Sequence, residues 1–202
     1  MTYRTKKNIL SVLPYAVWML MMFLLPPTAE CYAARTLVVL TILLPCLVYL
    51  ERHHGVIYRN STILPEFLWG VAVGMVVLAI WIFPEQYEFY RKWFVYGDGG
   101  TRSVAESEMV FKIVRLLGSA FVISVAEELF FRRWLLRFAG FWWMVALFAV
   151  EHGERWHVGA VTGVVYGLLA RRFGLWSAIV AHAVTNLCLG LLVVYGGRWQ
   201  FW

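Results

Sequence analysis

Apolar residues run in long blocks along this chain, without the two-residue alternation expected of barrel strands. Seven blocks, at about 9–26, 33–50, 64–83, 114–137, 140–156, 158–171 and 174–195, fit membrane-spanning helices, and most charged residues fall between them. The pattern predicts an all-α fold: a polytopic transmembrane helical bundle of about seven spans, six to eight according to where boundaries are drawn. Residues 1–202 read as a single integral membrane domain, in which 1–113 supply N-terminal spans and an outer loop and 114–195 supply the core helices. The one sizeable polar connection runs from Pro84 to about Glu108. The first block follows Arg4, Lys6 and Lys7 and so looks like a signal peptide. It is longer than a signal's apolar region and ends at Pro26 and Pro27 without a small-residue cleavage site, so it is expected to be retained as a span.

Composition strengthens this picture: 61% of residues are apolar and 17% aromatic, far above a soluble protein's share. A formal charge of +6 is compatible with nucleic-acid binding, but no basic cluster with interleaved aromatics occurs outside the connections, so no nucleic-acid partner is expected. Topology explains most of the charge. With the N-terminus inside, ten Lys and Arg fall on the inner side (Arg4, Lys6, Lys7, Arg52, Arg59, Arg132, Arg133, Arg137, Arg171, Arg172). Six fall on the outer side (Arg35, Arg91, Lys92, Arg102, Arg155, Arg198), which favours a cytoplasmic N-terminus. Cys31, Cys46 and Cys188 are odd in number and widely spaced, and indicate neither a disulfide framework nor a zinc knuckle.

Against this background Glu127 and Glu128 stand out, because an ionisable side chain at the bilayer centre costs roughly 3 kcal/mol on insertion scales. Glu128 and Arg132 are four apart on one helix face and can pair. Glu127 is rotated by about 100° and is left free for chemistry. Phe148 and His152 share a face by the same spacing, as do His182 and Asn186. At ~1.5 Å per residue from the inner edge of each span, Glu127, His152 and His182 lie at roughly 15, 18 and 12 Å, so they can meet near mid-membrane. That estimate requires the fourth span to begin near Val114 and not at Met109. Glu151 reads either as a helix-end charge or as an orienter of the site. Gly159, Gly163 and Gly167, like Gly70 and Gly74, recur every four residues and let neighbouring backbones approach, as ordinary bundle packing or as support for a site.

A carboxylate in a low-dielectric pocket suits a general base that later serves as acid, and His and Asn can donate to a developing oxyanion. This set supports water attack on a carbonyl, and no Ser-His-Asp or Cys-His nucleophile arrangement is evident.

The same residues resemble a known family. Glu127-Glu128-x-x-x-Arg132, Phe148-x-x-x-His152 and His182-x-x-x-Asn186 match in order the three motifs of the CAAX-protease and bacteriocin-processing (CPBP, or Abi) intramembrane proteases, over roughly residues 115 to 190. The stretches EFLWG, FAVEHGERW and LWSAIVAHAVTNLCLGLLVVYGGRWQFW further resemble the bacterial subgroup associated with the exosortase protein-sorting system. The resemblance implies a CAAX-protease-like glutamic endopeptidase in which Glu127 and His152 activate water and His182 and Asn186 form the oxyanion hole. Glu128, Arg132 and Phe148 would support them. It implies no cofactor, with zinc held by Glu127, His152 and His182 as the runner-up. It also implies a membrane-embedded or membrane-anchored protein substrate in the bacterial inner membrane, with exosortase-system components as partners. Long insertions of larger members are missing, which leaves little dedicated docking surface. The alternatives are a non-catalytic scaffold or bacteriocin-immunity-type protein of the same fold, and a small transporter, for which no internal repeat is found.

Overall fold

A computed structural model of the chain describes residues 3–55, 63–93 and 107–201. Among the described residues eight helices carry the fold: α1 (Tyr3–Leu24), α2 (Ala29–His54), α3 (Ile63–Ile82), the short α4 (Glu88–Trp93), α5 (Met109–Phe138), α6 (Phe141–Glu151), α7 (Trp156–Phe173) and α8 (Leu175–Gly196). Five of them, α1, α2, α3, α5 and α8, are long and apolar enough to cross a membrane, and the chain is an all-α integral membrane bundle. Arg59, Asp98, Arg102 and Glu106 of the expected connections lie outside the described residues.

Local chemistry sets the breaks. Pro26 and Pro27 cannot continue α1, and the Thr28 hydroxyl then accepts the Cys31 amide at 3.3 Å to start α2. The α7–α8 turn is a single residue, Gly174, at φ +97, a conformation that only glycine adopts without strain.

Two boundaries and the placement of one charge differ from the hydropathy reading. The fourth rod starts at Met109, not near Val114, because its first turns are amphipathic and helical structure begins before the apolar block. The fifth ends at Glu151, not 156: His152 leaves helical geometry and Gly153, at φ +55, turns the chain. At ~1.5 Å per residue, eleven residues make a rod of about 16 Å, about half of the hydrocarbon thickness. Arg35, counted as an outer charge, instead lies buried within α2, its guanidinium 5.4 Å from the Trp18 ring.

The glycine stripes set the packing of the core. A Cβ on Gly74 would stand 2.6 Å from the Ala181 carbonyl oxygen and one on Gly70 2.7 Å from Val180 Cβ, so α3 and α8 touch backbone to backbone. On α7, a Cβ at Gly159 would meet His152 at 2.9 Å, one at Gly163 would meet Phe148 at 3.3 Å, and one at Gly167 would meet Met144 and Phe141 at 2.8 Å. This stripe seats α6 and the His152 that follows it, and so both members of the Phe148–His152 pair.

Candidate active site

The helix that carries the two glutamates is wound unevenly. Gly118–Ile123 and Leu129–Leu135 are π-helical, and the regular turn Ser124–Glu128 lies between them. Such widened turns shift side chains out of α register and recur at functional positions. Here they lie on either side of Glu127 and Glu128, both buried.

The expected Glu128–Arg132 pair is present, Oε1 to Nη1 at 3.0 Å, with both side chains fully buried. The guanidinium is held more by charge and rings than by directed bonds. Its carbon lies 4.0 Å from the Phe148 centroid and 5.5 Å from that of Tyr166, and none of its three nitrogens has a hydrogen-bond partner among the described residues.

Glu127 is less isolated than the helix geometry suggested. His182 on α8 stands between both carboxylates: Nδ1 donates to Glu128 Oε1 at 2.9 Å, while Nε2 lies 3.8 Å from Glu127 Oε2. An imidazole has two nitrogens on opposite edges, so one ring reaches two carboxylates that point about 100° apart.

His152 meets the cluster through Phe148. Its ring centroid is 4.5 Å from that of Phe148, whose other side faces His182 at 6.1 Å. His152 Nδ1 lies 2.7 Å from the Phe148 carbonyl oxygen. A carbonyl only accepts, so Nδ1 carries the hydrogen and the neutral ring offers the Nε2 lone pair. The depth estimate required a start near Val114 and does not hold with the start at Met109; the residues are grouped instead by the direct contacts of His182 and Phe148.

Asn186, one turn beyond His182, donates from Nδ2 to the Ser119 carbonyl at 3.1 Å, within the first π-helical segment. One amide hydrogen is thereby committed and the second is left. Glu151 is not a solvated helix end: it is half-buried and its carboxylate accepts from the Tyr15 hydroxyl of α1.

Tyr15, Ser119 and Tyr166 were not singled out by sequence. Tyr166 packs its ring 5.3 Å from His182 and donates to Thr185 at 2.7 Å, and Thr185 in turn donates to the carbonyls of Gly74 and Ala181. The phenol within the Gly159–Gly167 stripe was the available signal for it. Tyr15 had none, since only the packing of α1 on α5 brings it near Glu151.

Among the described residues no three His, Cys, Asp or Glu side chains are grouped as a ligand set.

Fold and site together define an integral membrane bundle with an ionisable cluster buried between its helices. Residues 109–188, which contain all seven motif residues, match the family model described as Type II CAAX prenyl endopeptidase Rce1-like. Over that segment, which is less than half of the chain, the protein is similar to this family, a likeness that supports intramembrane proteolysis in general. No curated protein and no solved structure matches the chain.

Proposed function

We propose that the protein is an intramembrane glutamic endopeptidase. The observation that carries this reading is the meeting of Glu127, Glu128 and His182 within 4 Å, with His152 against the same Phe148 ring. Glu127 takes a proton from a water oriented by the Nε2 lone pair of His152. The resulting hydroxide adds to the scissile carbonyl, and Glu127 returns the proton to the leaving amine. Asn186, through its second amide hydrogen, stabilises the tetrahedral oxyanion. With Nδ1 committed to Glu128, His182 offers Nε2 to the oxyanion, as a donor when that nitrogen carries a proton. Glu128 and Arg132 hold His182 in place. The mechanism uses no metal.

A site enclosed by membrane helices takes a membrane-embedded or membrane-anchored peptide. From its resemblance to exosortase-associated proteins, the protein is assigned to the bacterial inner membrane, N-terminus cytoplasmic, acting on a sorted envelope protein near its anchor.

The test compares protein termini in envelope fractions of cells carrying wild type or Glu127→Gln at equal expression. A terminus that appears only with the wild type supports the protease. Identical termini, with the sorting system expressed, assign the chain to the scaffold or immunity class.

A further inference from the structure

Arg133 follows Arg132 in sequence but meets α1, through Ser11, and lines a second polar feature there. Where the start of α1 meets the end of α5, a cavity of about 220 Å³ is lined by Lys7, Ser11, Arg133, Trp134, Arg137 and Phe138. At ~30 Å³ per water it has room for about seven waters, enough for a phosphate group with part of its hydration.

The cavity gathers cations without matching acids. Arg133 is 8% exposed, and its Nε donates to the Ser11 hydroxyl at 3.0 Å. That hydroxyl's own hydrogen goes to the Lys7 carbonyl at 3.0 Å, so Ser11 fixes the guanidinium in place without neutralising it. Arg133 Nη2 has no hydrogen-bond partner among the described residues. No acidic side chain is among the residues that line the cavity. Lys6 is directed elsewhere, over the Tyr49 ring at 4.2 Å. Nearly buried guanidinium needs an anionic partner, and its planar fork matches phosphate oxygens.

The rim gives the ligand its second property. Trp134 and Phe138 stack with centroids 5.0 Å apart and planes within 10°, and Phe138 is 75% exposed on a helix that crosses the membrane. We propose that this cavity binds the phosphodiester of an anionic phospholipid between Lys7, Arg133 and Arg137, with the acyl chains lying along Trp134 and Phe138. Basic pockets between transmembrane helices at the headgroup level hold such lipids by this combination of charge and apolar contact. The site is independent of the proteolytic reading.

The experiment is native mass spectrometry of the full chain in detergent, incubated with phosphatidylglycerol, with phosphatidylcholine, or with phosphatidylglycerol plus excess sodium phosphate. The wild type retains one phosphatidylglycerol, phosphatidylcholine stays at background, and sodium phosphate displaces nothing. The double variant Lys7→Gln, Arg137→Gln binds phosphatidylglycerol about thirtyfold more weakly, with unchanged gel-filtration profile and helicity. Should the double variant fail to fold, Arg137→Gln alone, an exposed position, is expected to weaken binding about fivefold. Equal retention of the two lipids, or undiminished retention by the folded variants, overturns the proposal. Displacement by sodium phosphate reassigns the cavity to free phosphate and overturns the lipid assignment.

Discussion

Nδ1 of His182 stands 2.9 Å from Oε1 of Glu128, the oxygen that also faces the Arg132 guanidinium at 3.0 Å. One carboxylate oxygen therefore joins α5 to α8 and leaves Glu127 to face the other edge of the same imidazole. The adjacent glutamates are chemically alike and structurally opposite, and substitution separates them. Glu128→Gln leaves Arg132 as an uncompensated buried charge and is expected to cost about 3–5 kcal/mol of stability. Glu127→Gln is expected to melt within ~0.5 kcal/mol of wild type and to lose cleavage entirely. Thermal denaturation in detergent beside the terminus comparison reads both; a Glu127→Gln variant that still cleaves ends the glutamic mechanism.

His152 is fixed by its bond to the Phe148 carbonyl, which points Nε2 outward. His152→Gln cannot supply the imidazole lone pair, and turnover is expected to fall by about 10²–10⁴-fold with the fold intact. Single-turnover rates on the identified substrate measure this, and a loss below tenfold removes His152 from the water-activating role.

The glycine stripe of α7 allows a paired test of positioning. A Cβ at Gly159 presses on His152 and one at Gly167 presses on Met144 and Phe141. Gly159→Ala and Gly167→Ala should both lower the melting temperature. Only Gly159→Ala should lower the rate of the remaining folded protein, by tenfold or more, since a small misplacement of a catalytic group has that scale of effect. Equal rate losses in the two variants would show that the stripe serves packing alone.

Asn186 connects α8 to the Ser119 carbonyl through one amide hydrogen. Asn186→Ala is expected to reduce the rate by about 10²–10³-fold through loss of oxyanion stabilisation, with KM little changed. A change confined to KM would place Asn186 in substrate binding instead.

Metal removal bears on the zinc alternative. Prolonged dialysis against a strong chelator is expected to leave the cleavage rate unchanged. Loss of activity on dialysis, restored by zinc, would return Glu127, His152 and His182 to the role of ligands.

Much of the site was legible because helical spacing is a local property. The pairs Glu128–Arg132 and Phe148–His152 lie at i, i+4, and the structure holds each in contact, as the spacing required. The glycine stripes were legible for the same reason, as a face whose partner was unknown. What spacing could not supply was the partner. Glu127 looked free because no residue on its own helix could reach it, yet His182 of α8 brings Nε2 to 3.8 Å from its Oε2. Glu151 looked like a helix end because the Tyr15 hydroxyl that it accepts from comes from the first helix.

The sequence by itself determined that the chain is a helical membrane bundle and which side chains are costly enough to require a purpose. Both follow from hydrophobic length and from the penalty on ionisable groups in hydrocarbon, which depend on composition and short-range order alone. The tertiary structure decided where α6 stops, how two π-helical segments reset the register around Glu127, which edge of His182 meets which glutamate, and that Arg133 lines a cavity away from Arg132. These depend on the close approach of helices distant in sequence, and that approach is set by packing between whole faces, which no single helix encodes.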